Sequence, residues 1–191
     1  MTASRTARLE VGDTAPEAAP TTATGERLSL PDPDRIVHLQ FRRFAGCPIC
    51  HLHLHSFARR HADIEAAGVR AVAVFHSTAD GLREYAENAP FDLVADPGMG
   101  LYQAYGVEAG PRSLLSPGAW PGIARGVFRA VRLLLQKRPW PTPERRPPGG
   151  KLGLPADFLI APDGRILAAK YGAHANDQWS VDEVLARVPK P

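Results

Sequence analysis

The chain has 191 residues, of which 44% are hydrophobic and 23% are charged, and its formal net charge is +3. This length predicts one domain with an added segment, and the composition excludes a wholly disordered chain. Because no stretch reaches the roughly 18 apolar residues of a membrane-spanning helix and the N-terminal residues lack the apolar core of a signal peptide, we expect a cytoplasmic protein.

The first predicted elements lead up to a pair of cysteines. Residues 11–30 predict an extended lead-in with a turn at Gly25. Apolar and polar residues alternate over 37–41, which predicts a strand that runs directly into the sequence GCPIC. A helix is predicted over 48–68, because apolar residues recur at helical spacing and define a buried stripe (Cys50, Leu54, Phe57, His61 and Ile64).

Strands and helices then alternate along the chain. Residues 71–75 predict a buried parallel strand, 79–88 a helix, 91–96 another strand and 98–105 a short helix. Such alternation indicates an α/β fold with βαβ units.

The C-terminal part predicts an antiparallel end to the same sheet. Residues 157–161 and 165–171 read as two strands joined at the turn Pro162-Asp163-Gly164, and a last helix is predicted over 180–188. We therefore expect residues 1–191 to form one domain around a central mixed sheet that is flanked by helices.

Residues 111–150 differ from the rest of the chain. They hold eight basic residues against Glu144 alone, a net charge of +7, so the remainder carries −4. Eight prolines exclude a central strand here. Apolar residues recur on one helical stripe (Ile123, Val127, Ala130, Val131 and Leu134). We predict a basic, proline-rich insertion or lid with one amphipathic helix, and, because the positive charge is confined to it, no nucleic-acid partner.

Cys47 and Cys50 have the spacing of a redox-active pair. Three residues apart at a helix start, their Cβ atoms would lie roughly 5 to 6 Å apart, close enough for a disulfide after a small adjustment. Pro48 suits the first helical position and so places Cys47 at the N-cap, where free amides and the helix dipole favour its thiolate. Cys50 lies on the buried stripe, so we expect it to be the less accessible thiol with the higher pKa.

Neighbouring polar residues are candidates to support the pair. Arg42 and Arg43 alternate in direction, so at most one of them reaches Cys47, and we assign that role to Arg43. His51 follows Cys50 directly and is expected to tune the two thiols electrostatically. Asp157 would relay protons to Cys50 if it faces inward, but alternation leaves its face open.

Four segments in order resemble one family: VGDTAPEAAPTTATGERLSL, VHLQFRRFAGCPIC, ADGLREYAENAPFDLVADPGMGLYQAYGV and LPADFLIAPDGRILAAKYG. They are similar to the peroxiredoxin (AhpC/TSA) branch of the thioredoxin-like superfamily, and within it to the proteins that contain Cys-x-x-Cys. The resemblance covers most of the chain outside the insertion. It implies a thioredoxin-like fold and thiol-dependent reduction of peroxides or disulfides.

The active-site residues depart from this resemblance. Peroxiredoxins resemble one another in Pro-x-x-x-Thr/Ser-x-x-Cys, whose hydroxyl helps to hold the peroxide. Aligning Cys47 with that cysteine places Gln40 and Phe44 at the other two positions, and aligning Cys50 places Arg43 and Cys47 there. Leu154-Pro155 instead resembles the cis-proline that faces the Cys-x-x-Cys of thioredoxins, so Pro155 is a candidate to contact substrate.

These features predict a thiol–disulfide oxidoreductase or peroxiredoxin-like antioxidant protein. We expect Cys47 to attack the substrate and Cys50 to resolve the intermediate as a disulfide, with no cofactor. Its partners would be a disulfide or peroxide substrate and a thiol reductant, and a homodimer remains open.

Two alternatives follow from the same residues. The protein could be a thiol-dependent peroxidase that reduces hydrogen peroxide or organic hydroperoxides, in which case the intermediate is a sulfenic acid. A non-enzymatic alternative is a binding module that docks through the basic insertion.

Two further motifs near the cysteines could indicate a haem attachment site or a metal site, but the sequence supports both less well than a redox pair. Cys-x-x-Cys-His matches a c-type haem attachment sequence, but the strand-to-helix context fits a redox loop better. His51 and His55 would share a helix face while His53 points elsewhere, so we expect no metal site.

Overall fold

The computed structural model describes most of the chain. It covers residues 7–107, 150 and 152–189, together with the isolated positions Pro121, Ala124, Phe128 and Pro148. The predicted insertion 111–150 and its amphipathic stripe therefore lie outside the described residues, except at those positions. Among the described residues, no helix is long and apolar enough to cross a membrane.

A five-stranded mixed sheet forms the centre of the fold. Three strands run parallel: β1 (Ile36–Phe41), β2 (Val69–Phe75) and β3 (Asp92–Ala95). Two follow antiparallel: β4 (Ala156–Ile160) and β5 (Ile166–Tyr171). Their order across the sheet is β3-β2-β1-β4-β5, so β1 is central. This arrangement confirms the predicted α/β fold with an antiparallel end.

Five helices are described around the sheet. They are α1 (Pro48–Arg59), α2 (His61–Ala66), α3 (Ala79–Ala86), α4 (Gly100–Ala104) and α5 (Val181–Leu185). The prediction of one continuous helix over 48–68 is wrong, because Arg60 leaves helical geometry with φ −114° and ψ 23°. Its guanidinium forms ion pairs with Asp63 in α2 and with Asp182 in α5 at the point where the helix is interrupted.

Two turns that the sequence predicts are present, one in the segment before β1 and one between β4 and β5. Gly25 adopts a φ of +97°, and isolated antiparallel bridges pair Ala18 with Leu30 and Thr21 with Arg27 on either side of it. Between β4 and β5, Gly164 adopts a φ of +84°, which favours glycine. The lead-in is thus an antiparallel turn held by isolated bridges, and β4 and β5 form a hairpin whose register shifts between Leu159 and Ile160.

Both faces of the sheet are buried. On one face, Phe41 of β1 packs against Phe158 of β4 and against the rings of Tyr102 and Tyr105. On the other face, a second apolar cluster lies beneath α1 and α3, and both cysteines belong to it. Each large side chain that is buried in this way contributes about 1.5 to 3 kcal/mol to folding. The packing fixes the start of α1 over the central strands.

Helix α3 is placed by its own cap. Thr78 is extended and its side chain accepts a hydrogen bond from the Gly81 amide at 3.2 Å. A threonine at this position satisfies an amide that the helix itself leaves unpaired. Leu82 and Ala86 are buried on one side of α3, and Tyr85 lies on the same side facing α1.

Candidate active site

Cys47 occupies the N-terminus of α1. After β1 ends, the chain turns at Gly46, whose φ is +77°, and Cys47 follows in an extended conformation as the N-cap. Pro48 is the first helical residue, where its missing N–H group costs no hydrogen bond. The positions predicted for Cys47 and Pro48 are those that the structure shows.

The surroundings of Cys47 favour its thiolate. A hydrogen bond from the Cys50 thiol, together with the positive charge of Arg43, outweighs burial and lowers the pKa of Cys47 to about 6. The backbone N–H groups of Cys50 and Ile49 face the sulfur and act in the same direction, although neither forms a hydrogen bond of ordinary geometry with it. With this pKa, roughly nine-tenths of Cys47 would be ionised at neutral pH.

Arg43 and Arg42 follow the end of β1 and have different partners. The Arg43 Nη1 atom donates to Cys47 Sγ at 3.6 Å. Arg42 is fully buried beneath α1 and its Nη2 atom lies 2.7 Å from the Asp157 Oδ1 atom. The structure therefore brings Arg43, and not Arg42, to the reactive sulfur.

Cys50 is the thiol with the higher pKa. Burial raises its pKa well above the usual value, and the neighbouring Cys47 adds to this effect. The expectation that Cys50 is the less accessible of the two is wrong, since the exposed fraction is 2% for both side chains. Cys47 is covered because the loop that carries it packs into the apolar cluster with Phe44 and Phe75. Both cysteines are reduced in this structure.

A small cavity adjoins the two sulfurs. Its volume is about 20 Å³, which holds about one water molecule. Its lining is mostly apolar and includes residues from β2, β3, α1 and α3 (Phe44, Ala45, Gly46, Cys47, Cys50, His51, Leu54, Phe75, Leu82, Tyr85 and Leu93). Only a small reacting group fits beside Cys47 in this state.

Asp157 faces inward, which settles the orientation that the sequence left open. Its carboxylate binds Arg42 and the His38 Nε2 atom, the latter at 3.0 Å, and lies 3.3 Å from the Trp179 amide. Although burial acts to raise the pKa of Asp157, the charge of Arg42 and the hydrogen bond from His38 hold it below the usual value. The carboxylate is thus fully occupied within a buried ion-pair network, and it does not serve as a proton acceptor beside Cys50.

The three histidines of α1 diverge as their spacing predicts. His51 and His55 line the space between α1 and α3, and His51 also lines the cavity beside the cysteines. The His53 Nε2 atom lies 3.1 Å from the Arg42 Nη2 atom on the opposite side of the helix. Within the described residues, no group of His, Cys, Asp and Glu side chains is arranged to hold a metal ion.

Pro155 does not have the geometry of the thioredoxin proline. The peptide bond between Leu154 and Pro155 is trans, and Leu30–Pro31 is the cis bond in the described part of the chain. Pro155 is buried, and its carbonyl accepts a hydrogen bond from the Gly172 amide at 2.8 Å. Pro155 packs closely against Gly172 and directly precedes β4, and the expectation of a cis-proline at this position is wrong.

Tyr85 lies at the site and was not singled out from the sequence. It lines the cavity beside Cys47, and its ring meets that of His51 at a centroid distance of 6.3 Å. Helical spacing from Leu82 and Ala86 could have placed Tyr85 near the buried side of α3. Nothing in the sequence indicates that this side faces the cysteines, because α1 and α3 meet only in the folded domain.

Comparison with known proteins identifies the kind of fold around this site. The sequence pattern of the AhpC/TSA family matches residues 11–169. No curated protein is significantly similar to the chain in sequence.

Similar solved structures cover nearly the whole chain. Peroxidoxin BcpB from Mycobacterium tuberculosis has a TM-score of 0.66 at 16% identity, with 95% of this chain and 97% of that chain covered. A peroxiredoxin-like protein from Aquifex aeolicus has a TM-score of 0.65 at 18% identity, covering 96% and 88%. A putative thiol:disulfide interchange protein DsbE from Chlorobium tepidum has a TM-score of 0.57 at 21% identity, covering 95% and 99%. These similarities show a thioredoxin-like fold of the peroxiredoxin type.

Proposed function

Because the chain belongs to the AhpC/TSA family of thiol-dependent oxidoreductases, we propose that it is a dithiol peroxidase in which Cys47 reduces a hydroperoxide and Cys50 resolves the product. The observation that supports this choice is that the sulfur of Cys47 is both acidic and buried. Cys47 has a pKa of about 6 but only 2% of it is exposed. A hydroperoxide group can reach such a sulfur, whereas a protein disulfide cannot approach it without movement of the loop.

The first step oxidises Cys47 by two electrons. The thiolate attacks the outer oxygen of the hydroperoxide, an S–O bond forms and the O–O bond breaks. The inner oxygen leaves as an alkoxide, or as hydroxide from hydrogen peroxide, and takes up a proton from water. Cys47 is then a sulfenic acid and the substrate has become an alcohol or water.

The second step uses the neighbouring thiol. The Cys50 sulfur attacks Cys47, a disulfide forms, and the sulfenic oxygen leaves as water with the thiol proton. Cys50 lies three residues further along the same helix and shares the cavity with Cys47. An external dithiol then reduces the disulfide and returns both cysteines to the thiol form.

Arg43 supports the attack electrostatically. Its guanidinium, 3.6 Å from Cys47 Sγ, stabilises the thiolate before the reaction. His51 lines the same cavity as the sulfur and bounds the space that the substrate enters. Pro48 begins the helix whose amides face the sulfur. In this proposal Pro155 has no contact with substrate.

Thiol–disulfide exchange is the second candidate, because the Cys-x-x-Cys spacing at a helix start suits it. In that reaction Cys47 would attack a disulfide and Cys50 would release the mixed intermediate. Attack on a protein disulfide would need the loop that carries Phe44 to expose the sulfur.

Peroxide consumption tests the proposal directly. The reduced protein is mixed with hydrogen peroxide or cumene hydroperoxide and with dithiothreitol as the dithiol reductant, and peroxide loss is followed against Cys47→Ser. We expect turnover in the wild type and none above the uncatalysed rate in Cys47→Ser. Equal rates for the two proteins would reject the proposal, and insulin reduction without peroxide turnover would favour the second candidate.

A further inference from the structure

A buried hydroxyl group lies unpaired beside the cysteines. The Oη atom of Tyr85 is out of contact with solvent, and no described residue forms a hydrogen bond with it. Buried polar atoms in native proteins almost always have a partner, so an exception needs a specific reason, such as a missing ligand. Tyr102 gives the contrast, since its buried hydroxyl reaches the carbonyl oxygens of Arg42 and Val74.

Tyr85 can act as a donor towards the reactive sulfur. It lines the cavity that Cys47 and Cys50 also line. Burial, the charge of Glu84 and the charge of Cys47 raise the pKa of Tyr85 well above its usual value. The phenol therefore stays protonated when Cys47 is ionised, and its hydrogen is available to a molecule that binds at the sulfur.

A larger hollow begins on the outer side of the same tyrosine. It lies between α1 and α3 and has a volume of about 260 Å³. It shares four residues with the cavity at the cysteines (His51, Leu54, Tyr85 and Leu93). Ala58, Ala89 and Phe91 extend the walls, which are mainly apolar. The two spaces therefore meet at Tyr85, with the sulfurs on one side and an apolar hollow on the other.

We infer that Tyr85 binds the peroxide oxygen and that the hollow between α1 and α3 holds the apolar group of an organic hydroperoxide. This inference rests on the proposed peroxidase function and names its substrate class. With the apolar group in the hollow, only the hydroperoxide end enters the small cavity. Its outer oxygen meets Cys47, and its inner oxygen accepts the hydrogen bond of Tyr85 Oη as the O–O bond breaks.

This assignment also supplies a donor that the chain lacks at the position of the family's threonine or serine. The position of the peroxiredoxin threonine is Phe44 when Cys47 is taken as the reactive cysteine. Phe44 offers no hydrogen bond to a peroxide. Tyr85 comes from α3, a different element, but it lines the same cavity as Cys47 and its hydroxyl is buried without a partner among the described residues.

The test compares two substrates in four proteins. Values of kcat/KM for cumene hydroperoxide and hydrogen peroxide are measured with dithiothreitol for the wild type, Tyr85→Phe, Ala58→Leu and Tyr105→Phe. Tyr105→Phe is the matched control. The Tyr105 hydroxyl contacts the Pro16 carbonyl, and Tyr105 belongs to a different apolar cluster from the cysteines. The alkylation rate of Cys47 is measured in each protein to show that the thiolate is intact.

The inference predicts a distinct result for each protein. The wild type prefers cumene hydroperoxide. Tyr85→Phe lowers kcat/KM for both substrates by about a hundredfold while Cys47 alkylates normally. Ala58→Leu fills part of the hollow and lowers kcat/KM about tenfold for cumene hydroperoxide only. Tyr105→Phe changes neither value.

The outcomes separate this inference from the function on which it rests. A wild type that consumes neither substrate overturns the peroxidase function and the inference with it. A wild type that turns over, with Tyr85→Phe equally active, overturns the inference alone. If Tyr85→Phe does not fold, the inference stands or falls on Ala58→Leu, and an equal loss for both substrates in that variant contradicts it.

Discussion

The Arg43 guanidinium lies 3.6 Å from the sulfur of Cys47, while the adjacent Arg42 is buried beneath α1 and pairs with Asp157. The two consecutive arginines thus have different electrostatic roles. Arg43 stabilises a thiolate at the helix start, and Arg42 compensates a buried carboxylate beneath the helix.

Removing the charge of Arg43 should make Cys47 less acidic. In the wild type, we expect the rate of iodoacetamide reaction at Cys47 to rise with a midpoint near the pKa of about 6. In Arg43→Gln that midpoint should move upward by about one pH unit, because the positive charge favours the ionised form. The exposed Arg59, at the other end of α1, provides the control Arg59→Gln. Equal midpoints in the wild type and Arg43→Gln would show that Arg43 does not set the pKa.

Removing the resolving thiol should leave the first intermediate in place. After hydroperoxide treatment, Cys50→Ser should accumulate a sulfenic acid on Cys47, which dimedone labels and peptide mass spectrometry locates. The wild type should show little label, because Cys50 converts the intermediate to a disulfide. Label on Cys50 of the Cys47→Ser variant, with none on Cys47 of Cys50→Ser, would reverse the roles of the two cysteines.

The buried network should matter for stability more than for thiol chemistry. Asp157→Asn leaves Arg42 buried without its charged partner and should lower the free energy of unfolding by about 3 to 5 kcal/mol. Asp163→Asn breaks the exposed pair with Arg165 and should cost at most about 1 kcal/mol. Both values come from denaturant unfolding. Similar losses in the two variants would contradict the assigned role of Asp157.

His53 should make stability depend on pH. Burial and the charge of Arg42 lower the pKa of His53 well below its usual value, so the folded state keeps the ring neutral. The unfolded chain takes up the proton below about pH 6.5, so stability falls as the pH falls through that value, by up to about 1.4 kcal/mol per pH unit. His53→Gln should reduce this slope. Parallel profiles for the wild type and His53→Gln, measured by urea unfolding from neutral to mildly acidic pH, would contradict the prediction.

Local sequence patterns were sufficient for the elements that carry the cysteines. The prediction that only one of Arg42 and Arg43 reaches Cys47 also holds, and Pro48 fixes where α1 begins. These features depend on residues that are close in the chain, and the structure agrees with them. The position of the break at Arg60 was missed, because it accompanies a contact with Asp182 in the distant helix α5.

Features that depend on distant contacts could not be predicted in the same way. The face of Asp157 follows from the pairing of β4 with β1, in which Asp157 lies opposite Gln40. The burial of Cys47 follows from how its loop packs, and the position of Tyr85 from how α3 lies against α1. A single sequence carries no signal for such packing beyond the apolar spacing of each helix.

The most direct test of the central claim is a single turnover without added reductant. The fully reduced protein is treated with one equivalent of cumene hydroperoxide, and its thiols and peptides are then analysed. We predict that both thiols disappear together and that a peptide containing Cys47 and Cys50 appears with the mass of an internal disulfide, lighter by two hydrogens. Two thiols that remain free after the hydroperoxide has been added would contradict the account.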